Sequence, residues 1–276
     1  MIILLLSLIV PLYSFSGGNG SSVNPYQVES CDDLQNISNY LDSHFLQIKD
    51  IDCGVGSHIV GNGFDPIGPI FTGLYDGDSY LISNLFINRP GDSTIGLFAR
   101  STGSVSNVGL IEFDVSSMNY VAGLIGYNSG LVNFSFSRGN VSGTSMVGNL
   151  VAGNYGGTIE NSYSSGRVNG ISFVGGLAGF NDGIINNSFS FANVIGSTDV
   201  GGFVGKSISG VIQNSFSVGN VSGTSDVGGF IGEHVGDSIL NSYWSNHSGN
   251  VELSVETGTT TGISPINNNN NWFYNY

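Results

Sequence analysis

From Val121 onward the apolar residues come in short bursts broken by Gly, Asn and Ser, and the bursts recur every 26 or 27 residues. Five units begin Val121-Ala122-Gly123-Leu124, Val147-Gly148-Asn149-Leu150, Val174-Gly175-Gly176-Leu177, Val200-Gly201-Gly202-Phe203 and Val227-Gly228-Gly229-Phe230. Each unit has three apolar stations: this segment, an Ile-x-Asn-Ser-aromatic segment such as Ile159 to Tyr163, and a lone Val such as Val168 in a Gly-x-Val-x-Gly setting. A fixed period of this size indicates a repeat architecture. No segment sustains the i, i+3, i+4, i+7 spacing of a helix, and Gly at this density destabilises helices by about 1 kcal/mol each. The pattern predicts three short strands per unit, one coil of a parallel β-helix. Coils stacked ~4.8 Å apart make the five units a rod roughly 24 Å long.

Stacking places equivalent side chains above one another. Asn161, Asn187, Asn214 and Asn241 are expected to form an amide ladder. Phe136, Tyr163, Phe189, Phe216 and Tyr243 form an aromatic column, and Ser135, Ser162, Ser188, Ser215 and Ser242 a third line. Upstream the pattern weakens but persists: Thr94 to Phe98 matches the first station, Val105-Ser106-Asn107 the second, and Ile82 to Leu85 an earlier rung. Asp32 to Ile48 has helical character, with Ser30, Asp32 or Asp33 as cap and Leu34, Ile37, Leu41 and Phe45 on one face. A capping element fits there, because an open solenoid end exposes strand edges. The chain divides into a signal segment (1–16), a linker (17–27), a cap with the first coils (28–93), the repeats (94–250) and a C-terminal cap or tail (251–276).

Composition narrows the function classes. Six Lys plus Arg against twenty Asp plus Glu give a formal net charge of -14 over 276 residues, which repels phosphate backbones and anionic bilayers. Ile2 to Val10 is an apolar run followed by Ser14-Phe15-Ser16-Gly17, as in a secretory signal with a cut after Ser16, although Lys and Arg are missing before it. The run is shorter than the ~20 residues of a membrane span. In an exported chain Cys31 and Cys53 pair as a disulfide worth about 3 kcal/mol; two buried thiols are the alternative.

The Gly-Leu-x-Gly segments Gly123-Leu124-Ile125-Gly126, Gly176-Leu177-Ala178-Gly179 and, with Phe for Leu, Gly202-Phe203-Val204-Gly205 resemble the GLUG motif family. Flanking segments such as Phe64-Asp65-Pro66-Ile67-Gly68 and Phe71 to Asp78 are similar to those preceding such repeats, so the resemblance covers roughly residues 28 to 265. It implies a secreted or cell-surface, right-handed β-solenoid of the kind found in adhesin-like proteins and in the non-catalytic part of immunoglobulin A peptidases. The His-Glu-x-x-His of those peptidases is missing here; Glu233-His234-Val235-Gly236 has one His and the wrong spacing.

Polysaccharide-cleaving β-helices need paired carboxylates, or acids with a basic residue. Asp199 and Asp226 share a repeat position, just before the first-station Val, where the neighbouring coils carry Met146 and Phe173 and no basic residue falls. Turn aspartates at a solvated corner account for them. Asp76-Gly77-Asp78 reads as a tight turn, Asp50 and Asp52 as the wet side of a strand, and Arg138, Arg167 and Lys206 lie at different stations. The expectation is an all-β, non-catalytic scaffold without cofactor or metal. It would sit outside the cell or on its surface, binding an extracellular protein or glycan or joining a larger surface assembly. A carbohydrate-active β-helix enzyme is the alternative.

Overall fold

The computed structural model describes residues 15–236, 238–245, 255–257 and 263–266. They form a parallel β-solenoid of about seven coils with one short N-terminal helix. Three sheets run the length of the rod. The first has nine strands, from Tyr26–Val28 to Ser238–Leu240; the second has seven, from Phe98–Ser101 to Val255–Thr257; the third has fifteen. One coil passes from Ser145–Gly148 in the third sheet to Val151–Asn154 in the second, to Thr158–Glu160 in the first, and back to the third along Tyr163–Asn169. Register follows the repeat: Val147 pairs with Val174, Val174 with Val200, and Val200 with Val227.

The apolar stations fill the rod. Val147, Leu150, Val151, Ile159 and Val168 of one coil are fully buried, as are their equivalents above and below. Where Phe replaces Leu at the first station, Phe203 and Phe230 stack at 4.8 Å, so adjacent coils make the same exchange together. The N-terminal coils are filled by larger rings, among them Phe45, Phe64, Phe71 and Tyr75. The Tyr75 hydroxyl is buried against Gln47 Oε1 at 3.0 Å.

The expected ladders are present. Asn161, Asn187, Asn214 and Asn241 each donate from Nδ2 to the Oδ1 of the coil before, at 3.0, 3.3, 3.2 and 3.3 Å, with Asn133 at the N-terminal end of the row. All four adopt left-handed backbone, φ 48–50°, a conformation Asn tolerates better than other L residues. The serine line is buried, and each hydroxyl closes a corner. Ser162 Oγ donates to Glu160 O and accepts from Ser135 N. Phe136, Tyr163, Phe189 and Phe216 stack at 4.8, 4.8 and 4.9 Å, within 6° of parallel, on the outer side of the third sheet.

A second ladder, inside the rod, has no counterpart among the sequence expectations. Asn128 Nδ2 donates to Asn154 Oδ1 (2.8 Å), Asn154 Nδ2 to Asn181 Oδ1 (2.9 Å) and Asn181 Nδ2 to Ser207 Oγ (3.2 Å). All four side chains are fully buried, and a buried amide is tolerated only when its donors and acceptors are met.

The helical cap is shorter than the periodicity suggests. The α-helix covers Cys31–Asn36, capped by Ser30, whose Oγ accepts from Asp33 N; one 3-10 turn, Ile37–Asn39, follows. Leu34 and Ile37 do share a buried face. Phe45, however, belongs to the strand His44–Gln47, which pairs with Tyr26–Val28 on one side and Leu74–Asp76 on the other. Two ladders of main-chain hydrogen bonds outweigh one further helical turn there. Cys31 and Cys53 form a disulfide, Cα–Cα 5.3 Å, tying the start of the helix to the first coil. The signal-like run Ile2 to Val10 and the tail from Asn267 to Tyr276 lie outside the described residues.

Candidate functional site

The corner between the third and second sheets explains the Gly-Leu-x-Gly signature and assembles the most distinctive cluster on the rod. One residue before each first-station Val sits in a left-handed kink: Thr94, Tyr120, Met146, Phe173, Asp199 and Asp226, φ 49–69°. The kink pushes the backbone against the second sheet. A Cβ at Gly179 would lie 2.7 Å from Met146 C, and one at Gly205 or Gly232 would lie 2.5 Å from Phe173 C or Asp199 C. In these coils the last Gly of the signature leaves room for the kink, while Ala152 holds the same register position in the coil that follows Tyr120.

Beside this column of kinked residues runs a second, on the outer side of the second sheet: Arg100, Tyr127, Gly153, Phe180, Lys206 and Glu233 in register. Gly153 leaves a gap, and the single-residue insertion of that coil fills it with Tyr155. The Tyr155 ring stacks on Tyr127 at 4.5 Å and 9°, and on Phe180 at 4.9 Å. Its hydroxyl lies 3.2 Å from both Tyr120 Oη and Met146 Sδ. Cations close both ends of this pillar, with Arg100 over the Tyr127 ring and Lys206 over Phe173 at distances suited to cation–π attraction.

Asp199 lies at the C-terminal end of this stripe and differs from the expectation for it. Lys206 is not remote; it pairs with Glu233 across one coil and faces Asp199. No basic residue occupies the station of Asp199 itself, but the kink brings positions seven apart in sequence onto one corner and so sets Lys206 of another station beside it. Burial first, then the hydrogen bond and charge of Glu233, push the Asp199 carboxyl up to about 6, with Lys206 opposing and Asp226 adding a little. Asp226 occupies the same station one coil on, between Ser225 and Val227, which pair with Thr198 and Val200. Asp199's hydrogen-bonding partner is thus Glu233, a residue the repeat alignment does not single out.

This geometry bears on catalysis. Glycosidase carboxyls stand about 5–5.5 Å apart in retaining enzymes and about 6.5–9.5 Å apart in inverting ones, leaving room for sugar or water. Asp199 and Glu233 are within hydrogen-bonding reach of each other, closer than either of these spacings.

Asp50, Asp52 and Asp76 are engaged in local hydrogen bonds. Asp76 Oδ1 accepts from Asp78 N and Asn107 Nδ2, closing a turn, and Asp50 Oδ1 accepts from Leu81 N. Asp52 accepts from Asn84 Nδ2 and Gly54 N, which hold its carboxyl below the usual range. Arg138 and Arg167 are exposed on the third sheet, where they pair in register with Ser165 and Asn140. His58 contacts Asp32 at 2.8 Å beside a cavity of about 290 Å³ at the N-terminal cap, also lined by Glu29, Cys31 and Asp52. Among the described residues no three His, Cys, Asp or Glu side chains converge in metal-binding geometry.

Similarity to known proteins covers this chain only in part. No protein-family model matches it. It is 35% identical over 148 residues to halomucin of Haloquadratum walsbyi, a match covering 49% of this chain and 2% of halomucin. It is 32% identical over 150 residues to a protein of Evansella cellulosilytica named "Putative Gly-rich membrane protein", covering 51% of this chain and 15% of that one. The chain thus spans a small fraction of the length of the curated relatives it matches. A crystal structure titled as a "putative immunoglobulin A1 protease" from Bacteroides ovatus superposes with a TM-score of 0.72 at 22% identity, over 91% of this chain and 87% of that one. At that identity the likeness establishes the β-solenoid fold.

Proposed function

We propose that this chain is an exported, non-catalytic β-solenoid of the GLUG type that presents a binding face at the cell surface or outside the cell, to a protein or glycan partner or within a larger surface assembly. The observation that carries the reading is the contrast within each coil. The interior and the outer Asn ladder repeat almost unchanged, while the kinked corner changes residue from coil to coil. A scaffold keeps its frame constant and varies what it presents. The Cys31–Cys53 disulfide supports export, since such bonds persist in oxidising compartments. The names of the halomucin and membrane-protein relatives support a surface location.

The competing reading is a carbohydrate-active enzyme, favoured by one observation: the raised Asp199 carboxyl between Glu233 and Lys206. Fractionating the native cells and incubating the purified protein with a polysaccharide panel tests both. The scaffold reading expects the protein in the surface or medium fraction and no shortening of any chain. Cleavage abolished by Asp199→Asn with Asp226→Asn would replace it with the enzyme.

A further inference from the structure

The kinked corner carries residues that local backbone energetics disfavour. Left-handed backbone costs an ordinary L residue about 1–2 kcal/mol, and bulky or β-branched residues there are outliers. At its other left-handed corner the chain mostly solves the same problem with Asn, at Asn107, Asn161, Asn187, Asn214 and Asn241, with Phe134 the exception. At this corner it instead holds Thr94, Tyr120, Met146 and Phe173 left-handed, φ 69, 49, 53 and 53°. Strain retained beside an easy remedy points to function. The large side chains are half-exposed, not core: Tyr120, Met146 and Phe173, like Tyr127 and Tyr155, each keep part of their surface in solvent.

We propose that this stripe, from Tyr120 and Tyr127 through Tyr155 and Phe173 to Asp199 and Glu233, is the binding site for a neutral, hydroxyl-rich glycan chain lying along the rod. The inference rests on the scaffold reading and names its ligand class. Tyr127 and Tyr155 stack on adjacent coils with Tyr120 packed beside both, and with the carboxyls that follow they offer a line of polar groups along the rod to a row of sugar hydroxyls. Tyr and Phe add apolar ring surface at low entropic cost. Burial first, then the hydrogen bond to Tyr120, keep the Tyr155 phenol protonated, and it donates to Tyr120 Oη.

Charge selects a neutral chain. The protein carries -14, and Asp199, Asp226 and Glu233 stand at one end of the stripe. Its two cations are already engaged, Arg100 on the Tyr127 ring and Lys206 by Glu233 and Phe173. An anionic glycan would meet repulsion without a free partner. A peptide would want concave pockets for anchor side chains, whereas the stripe is a row of stacked rings. The 290 Å³ cavity lies at the other end of the molecule, at the cap.

The test is binding of the purified full chain to defined neutral hexose oligosaccharides, with uronic-acid oligosaccharides alongside, for wild type and for Phe173→Asn, Met146→Asn, Tyr127→Phe and Tyr155→Phe. The expected result is binding of at least one neutral series and none of the uronates. Affinity should fall at least about tenfold in Phe173→Asn and in the paired Tyr127→Phe with Tyr155→Phe, equivalent to about 1.4 kcal/mol. The melting temperature of Phe173→Asn should be unchanged or higher. The tyrosine pair removes only hydroxyls, so it decides the matter even if an Asn variant folds poorly. Failure of all neutral oligosaccharides to bind, preference for uronates, or unchanged affinity in the tyrosine pair overturns the proposal. A protein ligand held equally by wild type and variants would leave the scaffold standing and remove the stripe; cleavage of an oligosaccharide would remove the scaffold reading itself.

Discussion

From Asn107 onward the coils turn through two left-handed kinks, and the two are filled in opposite ways. At the corner after the first sheet the residue is almost always Asn, whose amide bonds to its neighbours along the rod. At the corner before the second sheet it is Thr, Tyr, Met, Phe or Asp, and the side chains meet rings, a sulfur and a lysine across the corner. The same backbone demand thus receives a local answer in one place and a non-local one in the other. A corner solved locally serves the frame. A corner that holds strained, varied and half-exposed groups serves something outside it.

The largest effect should come from the glycines that let the second corner exist. Gly205 has ordinary φ, yet a Cβ there would lie 2.4 Å from Val174 N and 2.5 Å from Phe173 C, both backbone. Neither can move without parting two sheets. Gly205→Val is expected to cost at least about 3 kcal/mol and to melt the coils on either side, read as loss of β-sheet circular dichroism and of cooperative unfolding. A variant that folds with unchanged melting temperature would show that the corner is not close-packed.

The first corner can be weighed by Asn187→Ala. Alanine loses the tolerance of left-handed backbone, about 1 kcal/mol, and the amide bond to Asn161 together with the one received from Asn214, about 1 kcal/mol more. A fall of about 4–8 °C in melting temperature is expected for a chain of this size. Asn187→Gly should recover the backbone share. The comparison sharpens if Phe173→Asn moves the other way, because then one substitution type stabilises one corner and its reverse destabilises the other. Equal losses at both corners would mean that the bulky residues are there for packing.

The contrast between the corners also marks what the sequence could reveal. Apolar stations, the outer Asn row, the Ser line and the aromatic column repeat at fixed offsets, so stacking alone predicts their contacts. The inner ladder of Asn128, Asn154 and Asn181 repeats too, but its signal is interrupted by Ser101, Ser207 and His234 at the same register. The Asp199–Glu233–Lys206 cluster is hidden for another reason. Its members belong to two columns on either side of a corner, and only the kink makes neighbours of position one before the Val and position six after it. Aligning the residue that follows the last Gly of each signature, Tyr127, Phe180, Lys206 and Glu233, would have exposed the second column. The helix expected over Asp32 to Ile48 stops at Asn36 because Phe45, which fits a helical face equally well, is claimed by strands on both sides.

The smallest expected effect is the titration of Asp199. Its carboxyl is raised to about 6 in the folded chain, by burial and by Glu233, against an ordinary value near 3.9 when unfolded. A raised acid means that the folded state binds the proton more tightly between these values. The stability it contributes is therefore fully present below about pH 4 and is lost as pH rises through about 6. After allowance for solvent screening the loss is on the order of 1 kcal/mol. Wild type should lose about 2–4 °C in melting temperature between pH 4 and pH 7 from this group. Asp199→Asn, which keeps a hydrogen bond to Glu233 without a charge to titrate, should lack that component. The same difference should be read at the stripe: above pH 6 the cluster gains a negative charge that a neutral glycan tolerates. If wild type and Asp199→Asn follow the same stability curve across pH 4 to 7, Asp199 does not share its proton with Glu233, and the C-terminal end of the second corner is an ordinary solvated turn like those at Asp76 and Asp78.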